Sequence, residues 1–132
     1  SSVNSFVVVA PTVPYFNSQP ERLCTIDTYR RRAWCRAEVL SHVLRCGTNM
    51  VYVATEKDIN PVSDSSAVIE DAMQIFFGDL TCCALKHKGM EKCDKEQLML
   101  PLLGLFGEAV RSVQEMNSEM AKSTVRAGQI GR

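Results

Sequence analysis

Charge of one sign is what this chain most clearly lacks. Fifteen Lys and Arg residues balance fifteen Asp and Glu residues, for a formal net charge of 0 at pH 7. A chain without a basic surplus carries no electrostatic footprint for nucleic acid or an anionic membrane surface, and neither is expected as a partner. Long hydrophobic runs are missing too. The longest, Phe6 to Ala10, is strand-sized and falls far short of the ~20 residues of a membrane helix. Ser1 to Ser5 lacks the basic start of a signal peptide. No phosphate-cradling glycine motif, paired-carboxylate motif or Ser/His/Asp set stands out, and there is no internal repeat or low-complexity block. The chain begins without Met, which reads as a processed form, a fragment or the ordered part of something longer.

Cysteine is what the chain has in quantity, with six in 132 residues. Cys35 and Cys46 fall within helical pattern, and the vicinal pair Cys82-Cys83 cannot bridge without strain. Both facts favour free thiols in a reducing, intracellular compartment, either cytosol or an organelle stroma or matrix, over a secreted disulfide scaffold. The length suffices for one domain with a real core. A hydrophobic content of 45% is ordinary for one.

The elements follow from local pattern. Ser5 to Ala10, a near-continuous β-branched run, predicts a strand buried on both faces, as in a parallel sheet, ended by Pro11 and Pro14. Thr12 to Asp27 reads as a long loop holding Asn17, Ser18, Pro20 and Cys24. The densest Arg run opens the next stretch, a helix from about Thr28 to Cys46. Asp27 or Thr28 is its N-cap, Gly47 its stop, and Tyr29, Ala33, Trp34, Ala37, Leu40 and Leu44 form its apolar stripe, with Trp34 as core anchor. Met50 to Ala54 is a second strand. A polar turn region, Thr55 to Ser66, leads to a short helical turn at Ala67 to Asp71. Met73 to Phe77 and Leu80 to Ala84 read as two short strands around Gly78-Asp79. Asp94, with Gln97 as a capping-box partner, opens a long C-terminal helix with a kink or late start at Pro101. The expected organisation is a single α/β domain over 1–117 and a flexible tail over 118–132. Two parallel strands and one crossover helix leave open sheet edges, so other protein chains are expected to cover them.

One constellation carries chemistry on residue type alone. Cys82, Cys83, His87 and Cys93 are soft and borderline ligands within about a dozen residues and supply three or four corners of a zinc site. Their spacing is not one of the common CxxC patterns. On a strand Cys82 and Cys83 point to opposite faces, so one of them is expected to ligate readily with His87 and Cys93; the alternative is buried small thiols beside a surface His. Arg30, Arg31, Arg32 and Arg36 offer a phosphate or acidic-partner site, against the simpler account of a solvated face.

A strand, SFVVVAP, then a loop, then AWCRAEVL, resembles the central strand and following helix of Toll/interleukin-receptor (TIR) domains. Trp34, Cys35 and Glu38 carry the likeness, and MVYVA stands where the next strand of that sheet would be. The chain as a whole is similar to uncharacterised TIR-like proteins of protists and microalgae. Those have an RxWCRxE helix followed by TCC…H…CDxExL…PLLGL, here Arg32 to Glu38, Thr81 to Cys83, His87, and Cys93 to Leu105. The resemblance implies a partial flavodoxin-like unit, the C-terminal half of such a domain. It further implies an adaptor or accessory role in a larger assembly, such as an algal organelle complex. Alternatively it implies cleavage of the nicotinamide–ribose bond of NAD by Glu38, with Trp34 and His42 walling the site and NAD as substrate. Without that chemistry, Glu38 is a solvent-facing helix residue pairing with His42 or Arg45.

Overall fold

The computed structural model describes residues 4–15 and 19–130. Asn17 and Ser18 of the expected loop, and Gly131 and Arg132 of the expected tail, lie outside them. The chain is mixed α/β and divides into two compact units, residues 1–99 and 100–132.

The sheet of the first unit is built on β1 (Phe6–Val9) and β4 (Val51–Ala54), which run parallel from Phe6↔Val51 to Val9↔Ala54. β5 (Ile59–Pro61) adds an antiparallel strand to the far side of β4, so the order is β1-β4-β5. This third strand lies inside the stretch read from sequence as a polar turn. β1 is not buried on both faces. Val8 is 1% exposed but Val7 and Val9 are 45% and 71% exposed. The alternation follows from the period of two along a strand: a β-branched run satisfies a one-sided strand as well as a two-sided one.

Between these strands the chain departs from the expected loop. β2 (Val13–Tyr15) and β3 (Gln19–Cys24) pair as an antiparallel ribbon. Pro14 and Pro20 sit in a two-stranded ribbon, where every strand is an edge and a missing N–H is tolerated. The expected single helix is two helices, α1 (Ile26–Arg30) and α2 (Ala33–Cys46). The N-cap is Thr25, whose hydroxyl and that of Thr28 exchange a capping box. Tertiary donors explain the break at Arg31 and Arg32. Arg30 C=O accepts from Arg36 Nε at 2.6 Å, and Arg31 C=O accepts from the Thr81 N–H at 2.8 Å. Carbonyls turned to these donors do not continue the helical ladder.

The buried face of α2 is Ala33, Arg36, Val39, Leu40 and His42, rotated from the expected stripe. Trp34 is 43% exposed and is no core anchor. Arg36, 6% exposed, is the most consequential member. Besides Arg30 C=O, its guanidinium donates to Phe77 C=O at 2.6 Å, Gln74 C=O at 3.3 Å and Ile75 C=O at 3.4 Å. Those carbonyls follow α3 (Ala67–Met73), a helix capped by Ser66 that packs Val68, Ile69 and Ala72 inward. A cation at two helix C-terminal ends is placed where the helix dipoles favour it. Met73 to Phe77 is therefore a helix end and turn held by Arg36, not a strand. Leu80 to Ala84 is not a strand either: α4 (Thr81–Ala84) is one helical turn. Short apolar runs read equally as strand or buried helix by periodicity, and the donors waiting on α2 decide the outcome.

The last helix, α5 (Asp94–Ile130), begins ahead of Pro101 and runs through residues 118–130, where sequence suggested a tail. The division at residues 99 and 100 falls beside that proline.

Replacing Arg36 by Met keeps most of the side-chain volume and removes all four hydrogen bonds. Hydrogen bonds to a charged group contribute about 1.5–3 kcal/mol each, and the stranded carbonyls carry a desolvation cost. With partial rescue by water, Arg36→Met is expected to lower unfolding free energy by about 3 kcal/mol in urea titration; an unchanged midpoint would reject the clasp.

Candidate metal centre

α4 places Cys82 and Cys83 on one helical turn. Successive side chains there are about 100° apart, rather than on opposite faces as on a strand, so both thiols reach the same side. Cys82 is buried and Cys83 exposed. After α4 the backbone turns back through two residues in the left-handed region, Lys86 (φ 52°) and His87 (φ 56°), and then Gly89 (φ 75°). Left-handed backbone at a residue other than glycine costs about 1–3 kcal/mol and persists where the surroundings impose it. Here the His87 N–H is tied to Cys82 C=O at 3.0 Å and the Met90 N–H to His87 C=O at 3.0 Å. The turn returns the imidazole to the thiols three residues after α4 ends.

The third thiol arrives with α5. Cys93 immediately precedes Asp94, and its carbonyl accepts the N–H groups of Glu96 and Gln97 at 3.0 and 3.1 Å. The Gln97 side chain reaches back to Lys92 C=O at 2.9 Å, so the expected capping partner acts on the residue before Cys93. The N–H groups opening the helix have no intrahelical acceptor. The Lys95 N–H holds the Cys93 thiol below its ordinary pKa, and burial pushes Cys82 up to about 11 against the opposing Asp94 N–H. Donors aimed at sulfur favour thiolate.

The three sulfurs form a near-equilateral triangle. Cys82 to Cys83 is 3.8 Å, Cys82 to Cys93 3.9 Å and Cys83 to Cys93 4.0 Å. All four candidate ligand atoms, His87 included, lie within 4.8 Å of one another. All six cysteines are free thiols. A Cys3His cluster at metal-binding distance is thus present, and it engages both vicinal cysteines.

The other candidate residues do not converge in this way. Glu38 is exposed, and His42 is buried with its ring centroid 5.4 Å from that of Phe6. Neither of them, nor Trp34, lines the cavity of about 420 Å³ at the carboxyl end of β1. Val9, Leu23, Cys24, Tyr29, Arg31 and Arg32 are among the residues that do. A cavity at that end of a parallel strand is where α/β folds hold ligands, and residue spacing gave no sign that the β2–β3 ribbon would help to wall it. Burial pushes Tyr29 far above the ordinary phenol range and also raises Cys35. A phenol and a thiol held neutral are the reverse of activated nucleophiles. The Arg run divides by role. Arg30 pairs with Asp71 at 2.7 Å and Asp27 at 3.2 Å, Arg31 and Arg32 border the cavity, and Arg36 is the buried clasp. Comparison with protein-family models, with curated proteins and with solved structures gives no match.

Two outcomes follow. In metal-free protein, alkylation followed by peptide mass spectrometry should modify Cys93 first and Cys82 last, and the rate at Cys93 should rise at lower pH than that at Cys82. Equal rates would contradict the environments described. His42 Nε2 is buried without a hydrogen-bond partner among the described residues. Such a group costs about 1–3 kcal/mol, so His42→Leu should stabilise the fold by about 1 kcal/mol in urea titration, whereas destabilisation would mean that Nε2 has a partner.

Proposed function

We propose that this chain is a zinc-stapled protein-interaction module, an accessory or scaffold subunit of a larger assembly. The sulfur triangle carries the metal half of that reading. A tetrahedral site with Zn–S bonds of ~2.3 Å has sulfur–sulfur edges of about 3.8 Å, and the three separations are 3.8, 3.9 and 4.0 Å. A Zn–N bond of ~2.0 Å sets sulfur–nitrogen edges near 3.6 Å, so His87 closes the tetrahedron by a rotation of its side chain. Three of the four ligands are soft thiolates, which selects zinc over magnesium or calcium. Four protein ligands leave no open position, the arrangement of a structural site rather than a catalytic one. Three thiolates on Zn²⁺ leave one negative charge, and Lys86, Lys88, Lys92 and Lys95 are adjacent in sequence to balance it.

What the metal would do is mechanical. It ties α4 and its left-handed turn to the first turn of α5 and makes the His87 backbone strain a condition of ligation. The interaction half rests on surface. The sheet ends on β1 and β5 among the described residues, and Val7 and Val9 present an uncovered apolar edge. The parallel β1–β4 pair bridged through α2 supports the reading of residues 1–55 as a TIR-like unit, for which an adaptor role is the implied one.

Purified chain should hold one zinc per molecule by elemental analysis, with affinity roughly nanomolar or tighter. Cobalt in its place should show the strong visible bands of a tetrahedral thiolate site. Cys83→Ser and Cys93→Ser should each weaken binding on the order of 100-fold. Cys82, with its pKa pushed up to about 11, is protonated at neutral pH in the metal-free chain. Zinc must displace that proton, so affinity should fall as pH is lowered from about 8 to about 6. Less than half an equivalent of zinc after metal-replete expression sinks the reading.

A further inference from the structure

The second unit poses a problem that the metal site does not address. It is a helix in which, apart from Leu102, a stripe of large apolar residues stays in water: Leu103 is 63% exposed, Phe106 48%, Val110 56%, Val113 56% and Met120 65%. Helical stability normally comes from packing such a face. Their spacing is regular, at alternating steps of three and four residues. With Leu103, Val110, Asn117 and Thr124 at position a of a heptad, position d is Phe106, Val113, Met120 and Ala127. This is a 3.5-residue repeat sustained over more than three heptads, the period of a left-handed coiled coil.

We propose that residues 103–127 form a parallel two-stranded coiled coil with a second copy of this chain. The proposal deepens the interaction-module reading by naming the partner, and it does not depend on zinc. Three observations select a copy of the same chain in parallel orientation. The first is Asn117, the only amide on the seam. In a parallel pair, a residues face a residues, so Asn117 meets its counterpart and each amide finds a donor and an acceptor. In an antiparallel pair a faces d, and every d residue here is apolar. A single a-position Asn is also the device that specifies two strands and register, at some cost in stability.

The second is charge. Glu108, Arg111, Glu115, Glu119, Lys122 and Arg126 all fall at b, c or f, outside the seam and its flanks. The flanking e and g positions are uncharged: Gly107, Gln114, Ala121 and Gly128 at e, Ala109, Met116 and Ser123 at g. In a parallel dimer g faces the next e of the partner, which sets Met116 over Ala121. Nothing there repels an identical strand, and the three acidic and three basic side chains of residues 103–127 cancel.

The third is area. Five large a and d side chains and Met116 each bring roughly 100 Å² of apolar surface to the seam. Two chains together bury about 1,200 Å², the lower end of what specific interfaces need.

Sedimentation equilibrium of the full-length chain should give twice its 14.7 kDa mass in the tens of micromolar. Val110→Lys or Val113→Lys, at exposed positions that leave the first unit intact, should weaken dimerisation by at least 100-fold without changing zinc content. A photo-crosslinking residue in place of Met120 should join to the 117–124 stretch of the partner, as mapped by mass spectrometry. A monomer at every concentration, a mass above the dimer, or crosslinks into 110–113 would each overturn the proposal. Zinc content, measured on the same samples, reports separately on the metal site.

Discussion

The guanidinium of Arg36 is the constraint on which the first unit depends. It is buried, it faces no carboxylate within ion-pairing distance among the described residues, and its Nε and Nη1 donate to main-chain carbonyls. Those carbonyls belong to three places: the end of α1, the end of α3 and the turn that precedes α4. Removing a full charge from water is costly unless it is hydrogen-bonded, so losing these carbonyls would destabilise the whole clasp. It explains why α1 and α2 are separate helices, why the chain after Met73 is a turn rather than a strand, and why α4 starts where it does. The Thr81 N–H on Arg31 C=O fixes α4 from the other side. The position of Cys82 and Cys83 is therefore set, two steps removed, by an arginine on α2.

That dependence also explains what could and could not be read from the residues. The strands at Phe6–Val9 and Val51–Ala54, the helix ending at Gly47, the helical turn near Ala67 and the start of α5 at Asp94 are local signals: β-branched runs, a glycine stop, a capping residue. They were legible. The segmentation of residues 12–32 and 73–84 was not, because long-range pairing and long-range donors decide it. Arg36 in a run of arginines looks like solvated charge, and only the fold shows that it is the one taken inside. Trp34 attracts the role of anchor because tryptophan usually has it, yet the stripe is rotated so that Val39 and Leu40 go in and Trp34 stays at the surface.

The metal-binding set was legible by composition, but its geometry was argued from the wrong element. With LTCCA taken as a strand, the two vicinal cysteines diverge and at most one serves. As a helical turn they converge, and the pair becomes an advantage. The missing information was again tertiary. The left-handed backbone at Lys86 and His87, neither a glycine, has no sequence signal at all. It appears only once the chain must return the imidazole to α4.

The first unit has reason to use a metal at that place. Its sheet is three short strands, and its largest fully buried side chains are Leu80, Leu98, Val8, Val39 and Val51, with no aromatic among them. Small units with thin cores are commonly fastened by a metal or disulfide. Leu80 and Leu98 bracket the four ligands in sequence, one before Cys82 and the other after Cys93. A metal drawn in by those ligands would therefore tie together the two segments that carry these buried leucines. Among the described residues the second unit has no metal-ligand set and no sheet, and a helix–helix seam is the remaining way to bury apolar surface. The proposed metal staple and the proposed seam would thus answer the same shortage of core by different means, one with ligands from its own chain and the other with a second copy of itself.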